Sequence, residues 1–205
     1  MNRNIQIEKE NILLVEGKDE ENFIQALLEY LNKQNVQIID VNGKNNFSSM
    51  IQILTRINDF NKVLSLGFIR DAEKNEPRSA FESITSALKK ISNFHLPIPD
   101  KTGEVKISSS GKCGVYIMPD NKQTGMLEDL CLKSIDHIAT KSCVDNYISC
   151  ISKSYDDNTM KKFNEPKARI QVYLAVQAET VSSLGVGAKK KYFDFKHVCF
   201  ENIKR

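Results

Sequence analysis

Carboxylates stand at the ends of three of the chain's apolar runs. Glu16 closes NILLV and lies against Gly17; Asp71 and Glu73 form a D-x-E pair after VLSLGFI; Asp120 follows CGVYIMP. If these run ends share one edge of a sheet, the acids face one another. Two unit charges about 4 Å apart repel by about 4 kcal/mol at an effective dielectric near 20. Such a group either keeps a proton on one member or takes up a cation. Oxygen-rich acidic clusters suit Mg²⁺ or Mn²⁺, which also accept waters and phosphate oxygens. In an extended D-x-E, Asp71 and Glu73 point to the same side and can reach one ion. Acids at strand ends also solubilise loops and cap helices. It is their recurrence at one edge, beside a glycine and in D-x-E spacing, that favours a site. No Ser, His and Asp arrangement suggests a nucleophile, and His95, His137 and His197 lack ligand spacing.

The elements that would carry these acids are legible in the hydropathy pattern. Residues 11–16, 36–41, 63–70 and 113–118 are near-continuous apolar runs, the signature of strands covered on both faces. Between them, Phe23, Ala26, Leu27 and Tyr30 follow helical spacing, as do Met50, Ile53, Leu54 and Ile57, and Phe81, Ile84, Leu88 and Ile91. Asp19 suits the cap of the first helix and Pro77 the start of the third. Residues 95–112, rich in Pro, Gly and Ser, read as a loop or hairpin insertion before the last strand. Helical spacing returns after Met118, through Leu127, Leu130 and Cys131, then Val144, Tyr147, Ile148 and Ile151, with a further helix expected over 168–179. The expectation is an α/β domain over 1–130, a parallel four-stranded sheet of order 2-1-3-4 with helices on both faces. A helical C-terminal extension, 131–205, packs on it without being independent. In that order the winding reverses between strands 1 and 3, opening a crevice at their carboxyl ends. Glu16 and Asp71 would flank it.

Composition narrows the class. With 205 residues and 40% hydrophobic content the chain can bury a sizeable core, and 27% charged residues with a net charge of +3 mildly favour anionic partners. No run approaches a membrane span, and the first residues lack a secretory h-region, so a cytoplasmic protein is expected. Five cysteines without a C-x-x-C pair read as thiols of a reducing compartment.

The segment VEGKDE after strand 1 and D-x-E after strand 3, in β-α-β-α-β-α order, resemble the toprim domain over about residues 10–130. That domain is shared by topoisomerases, bacterial-type primases, ribosomal-RNA maturases and OLD-type nucleases. The segments IMPDN and GMLEDL and the tail LGVGAKKKYFDFKHVCFENI are similar to small stand-alone prokaryotic toprim-like proteins and to the toprim halves of OLD-type nucleases. The resemblance implies a Rossmann-like fold, Glu16 as general acid or base, and Asp71 and Glu73 on Mg²⁺. Glu73 stands where aspartate is usual. The OLD-type likeness implies further acids and a lysine near a second metal, for which Asp120, Glu128 and Asp129, with Lys167 or Lys189, are candidates. First-turn acids stabilised by a helix dipole are the plain alternative for Glu128 and Asp129. Gly17 and Lys18 at the turn would contact substrate. The lysines at 161, 162 and 189–191 are candidates for phosphate contacts, and Tyr192, Phe193, Phe195 and Phe200 either stack on bases or dock as core.

The function implied is Mg²⁺- or Mn²⁺-dependent phosphodiester hydrolysis of DNA or RNA. One alternative is a catalytically idle toprim module that binds nucleic acid, a nucleotide or a protein partner; a homodimer is left open. Another is a receiver-like phosphoacceptor domain, with Asp71 as acceptor, which also calls for a fifth strand carrying a lysine.

Overall fold

The near-unbroken apolar run NILLV forms the first strand, an interior one, of a computed structural model that describes residues 5–204. The outer limits of the expected domains, 1 and 205, lie outside the described residues. The chain runs β1 (Asn11–Val15), α1 (Lys18–Tyr30), β2 (Gln37–Asp40), α2 (Phe47–Leu54), β3 (Ser65–Asp71), α3 (Pro77–Lys89), β4 (Val105–Ser108) and β5 (Gly111–Met118). Five helices follow: α4 (Leu127–Ser134), α5 (Thr140–Ser152), α6 (Asp157–Lys162), α7 (Glu165–Ala175) and α8 (Leu184–Lys189). No described helix is long and apolar enough to cross a membrane.

The sheet order is β2-β1-β3-β5-β4. The four expected strands are parallel and stand in the expected relative order, with Val15 beside Ile69 and Asp71 beside Met118. The sheet has five strands rather than four, because the 95–112 insertion supplies β4, antiparallel to β5 at the edge. Its alternation of Val105 and Ile107 with polar residues is a solvent-edge pattern. Those two side chains remain 48% and 74% exposed, so they lack the continuous apolar run that marks the buried strands.

Strand side chains alternate between two cores. On one face Ile12, Leu14, Leu66, Phe68, Val115 and Ile117 meet α2 and α3 through Met50, Ile51, Leu54, Phe81, Ile84 and Leu88. On the other, Val15, Ile69 and Met118 meet Phe23, Ile24 and Leu27 of α1 together with Leu130, Ile148, Leu174 and Leu184 of the C-terminal helices. Residues of the 131–204 stretch therefore help to build this second core. The tail aromatics belong to it: Phe195 packs edge-on to Phe23 at 5.4 Å and Phe200 lies 5.9 Å from Phe23, so Phe193, Phe195 and Phe200 are buried core and not base-stacking platforms.

Two local expectations change. The helix expected over 168–179 begins earlier: Asn164 caps α7 by accepting from the Lys167 N–H at 3.2 Å, and Pro166 sits in its first turn. Asp19 does not cap α1, whose N-cap is Gly17 without a side-chain bond. Its carboxylate instead accepts from the Ser183 hydroxyl and from the Gly185 N–H at 3.1 Å, fastening α8 to α1. A Cβ at Gly185 would meet the Asn22 Cβ at 2.5 Å and the Asp19 carbonyl oxygen at 2.7 Å. Gly185→Ala should therefore push α8 off α1 and cost roughly 1–3 kcal/mol, read as a lowered midpoint in urea unfolding. An unchanged midpoint would show that the contact yields freely.

Candidate functional site

The β1–α1 turn and the end of β3 bring Glu16 and Asp71 together. β1 and β3 are parallel neighbours, so their carboxyl ends coincide, and the Asp71 N–H donates to Glu16 Oε2 at 3.4 Å across 55 residues of sequence. Asp71 Oδ1 in turn accepts from the Leu127 N–H at 3.2 Å, so the first amide of α4 is aimed at this carboxylate. That contact also places Glu128, in the first turn of α4, beside the same edge. Glu20 joins from the first turn of α1, close enough for the charge of Glu16 to act on it.

These four carboxylates disturb one another. Burial drives Asp71 well above the usual aspartate range, and the charges of Glu20, Glu16 and Glu128 push the same way. Burial lifts Glu20 to about 7, assisted by Glu128, Glu16 and Asp19. Glu16 is raised by burial, moderated by the Asp71 N–H and the Arg70 guanidinium. Glu128 is also raised by burial, with Lys167 opposing, its Nζ 3.8 Å from Glu128 Oε1. Among the sequence candidates, the structure thus draws Glu16, Asp71, Glu128 and Lys167 together. Glu20 was missed because VEGKDE reads most simply as a strand end and a first helical turn; its place in the first turn after the Glu16–Gly17 bend was the available signal.

The other candidates are engaged elsewhere. The D-x-E segment is not extended at its second acid: Glu73 has φ +55° and exchanges two backbone hydrogen bonds with Gly125, at 2.7 and 2.8 Å. Its carboxylate pairs with Lys44. Asp120 holds a turn, accepting from the Lys122 and Gln123 N–H groups at 3.1 and 2.9 Å and pairing with Lys133 at 3.2 Å. Burial works against its charge, but these partners hold its carboxyl below the usual range. Asp129 accepts from the Met126 N–H at 2.8 Å, closing the start of α4. Lys189 donates to Asn22 at 2.8 Å, Lys18 pairs with Glu21 at 2.7 Å, and Gly17 forms the turn that starts α1.

Two further groups sit beside the acids. Arg70 lies over the Phe47 ring at 5.8 Å, and its Nε and Nη1 are buried without a hydrogen-bond partner among the described residues. A hollow of about 360 Å³ beside α4 is lined by Asp129, Lys133, Lys141, Asp145 and Arg169, whose cations are already paired with acids; none of the four clustered carboxylates lines it.

The donor set consists of hard carboxylate oxygens that repel one another, which fits Mg²⁺ or Mn²⁺ in type and charge. Among the described residues no three Asp, Glu, His or Cys side chains form a ready-made ligand group. A divalent ion there would therefore rest on one or two protein carboxylates, with waters completing its shell. Glu20, with its carboxyl raised to about 7, is also matched to proton transfer near neutrality.

Fold and site together define an open α/β domain with an acidic edge at the carboxyl ends of its parallel strands. The chain belongs to the family described as "Protein of unknown function (DUF3226)", whose profile matches residues 10–205. It is similar in fold to the crystal structure of a hypothetical protein from Pyrococcus horikoshii OT3, with a TM-score of 0.51 and 18% identity over 94% of this chain and 91% of that one. A weaker likeness, TM-score 0.36 and 12% identity, relates 89% of the chain to 77% of the C-terminal region of the Xanthomonas campestris pv. campestris OLD protein. No curated protein matches the chain.

Proposed function

We propose that this chain is a toprim-like phosphodiesterase that hydrolyses DNA or RNA with Mg²⁺ or Mn²⁺. The observation that carries the reading is the convergence of Glu16, Glu20, Asp71 and Glu128 from β1, α1, β3 and α4, with the carboxyls raised by burial and, above all at Asp71 and Glu20, by one another. Asp71, with either Glu16 or Glu128, would hold the ion, which when bound polarises a phosphoryl oxygen and acidifies water. Glu16 orients or deprotonates the attacking water. Glu20, near neutrality, takes up or returns a proton. Lys167 balances the charge of Glu128 and offers its ammonium to a substrate phosphate. The net charge of +3 supports an anionic partner such as nucleic acid.

The test is cleavage of labelled DNA and RNA in Mg²⁺ or Mn²⁺ by the wild type beside Glu16→Gln. Metal-dependent cleavage by the wild type, lost in the variant, is expected; identical traces from both would end the reading. The ion pair between Glu73 and Lys44 favours a second reading, a toprim-like module that binds its cation and a nucleotide or nucleic acid without turnover. Metal binding with no cleavage of either polymer would select it. A receiver-like domain is less well supported, since the additional strand, β4, is an antiparallel edge whose Lys106 pairs with Asp100 at 2.8 Å.

A further inference from the structure

The second acid of the D-x-E pair is pinned at both its backbone and its side chain. Glu73 occupies the left-handed region, φ +55°, which disfavours a residue with a Cβ, and its N–H and C=O are both tied to Gly125. This fixes the direction in which its side chain leaves the chain, and the carboxylate ends on the Lys44 ammonium. Lys44 is equally placed by design of its loop. Asn42 at φ +62° and Gly43 at φ +109° turn the chain after β2, and the Gly43 N–H donates to the Glu16 carbonyl at 2.7 Å. The loop that carries Lys44 is thereby tied to the backbone of Glu16. Glu16 feels both partners with opposite sign, Glu73 raising its carboxyl and Lys44 lowering it, which places the pair beside the acid cluster.

We infer that Lys44 is a resident counter-cation that withholds Glu73 from the divalent ion, leaving ion binding to the Asp71 side of the site. This rests on the metal reading proposed above. An ammonium and a Mg²⁺ or Mn²⁺ ion compete for the same carboxylate, because both are hard cations that seek oxygen donors. Glu73 becomes available to the ion only when Lys44 gives it up. In this chain the aspartate-to-glutamate departure at Glu73 is therefore matched by a partner that uses the longer side chain. Glu73 then acts through Lys44 in balancing the charge around Glu16, as a positioning residue.

The experiment is titration of the whole chain with Mn²⁺, free Mn²⁺ being followed by electron paramagnetic resonance, for the wild type and for Lys44→Met, Glu73→Gln, Asp71→Asn and the Lys44→Met/Glu73→Gln double variant. Both pair members keep part of their surface in solvent, with side chains 41% and 32% exposed, so the pair resists release by a factor of about two to five. Lys44→Met should tighten Mn²⁺ binding by about that factor, while Glu73→Gln alone leaves it within about twofold of wild type. The double variant should lose the gain, because the freed carboxylate is gone. Thermal unfolding of each variant checks that the fold is retained. If Lys44→Met binds Mn²⁺ as wild type does while Asp71→Asn has lost it, this inference is overturned and the metal reading stands. If Glu73→Gln loses Mn²⁺ as severely as Asp71→Asn, Glu73 is already a ligand and the inference is likewise overturned. If neither wild type nor Lys44→Met binds Mn²⁺, the metal reading fails and takes this inference with it.

Discussion

Asp71→Asn should lower metal-dependent cleavage by roughly a hundredfold or more and at the same time raise the melting temperature of the metal-free protein at pH 7. The two effects share one cause. Asp71 is raised well above the usual aspartate range, by burial first and then by Glu20, Glu16 and Glu128. Ionising it without a cation therefore costs free energy that the fold supplies. Asparagine keeps the Oδ1 that accepts from the Leu127 N–H but removes the charge, so the repulsion goes while the hydrogen bond stays. The same charge is what a bound divalent ion needs. Mg²⁺ should stabilise the wild type, since a ligand that binds only the folded state adds to its stability, and should leave Asp71→Asn unmoved. Cleavage of a labelled oligonucleotide and thermal unfolding with and without chelator measure both halves. A variant that cuts like wild type, or that melts lower than wild type in chelator, contradicts the assignment of Asp71.

The metal-free protein should also lose stability as pH rises from about 4.5 to about 7, by about 2–3 kcal/mol through Glu20 alone. The sign follows from where the proton is held. The folded state keeps Glu20 protonated up to about 7, whereas the unfolded chain releases the proton near the ordinary value of 4.5. Between those limits the folded state binds more protons, so each increment of pH favours unfolding. Asp71, Glu16 and Glu128 are raised too and add in the same direction. Carboxyls held low by their partners, such as Asp120 and Asp156, oppose this only below their ordinary value of 3.8. Urea unfolding in chelator at pH 5 and pH 8 gives the difference, and Glu20→Gln should remove Glu20's own share of it, about 2–3 kcal/mol. A protein equally stable at both values would mean that Glu20 is far better solvated than its place between Glu16 and Glu128 implies.

Glu20 and Glu73 show where reading along the chain stops being sufficient. Both are acids close in sequence to a strand end, and spacing alone favours Glu73. In the folded chain Glu20 enters the cluster, because α1 starts at once after Gly17 and turns residue 20 back over residue 16. Glu73 stands beside it with its carboxylate taken by Lys44, its φ held at +55° by a backbone bridge to Gly125, about fifty residues on. Asp19 is a similar case: its expected capping role is displaced by Ser183 and Gly185, more than 160 residues away. The edge strand β4 realises the hairpin alternative for the 95–112 insertion, which the sequence left open against a loop. Its Val105 and Ile107 face solvent, so no apolar run announces it.

By itself the sequence determined the four parallel strands, the helices between them and the meeting of Glu16 with Asp71. Continuous apolar runs demand cover on both faces, and parallel strands joined through helices must end at one edge. Only the tertiary structure decided which other acids join them, that Lys167 reaches Glu128 and that Lys44 takes Glu73. Those outcomes depend on single backbone angles and on partners distant in sequence, and local hydropathy carries no record of either.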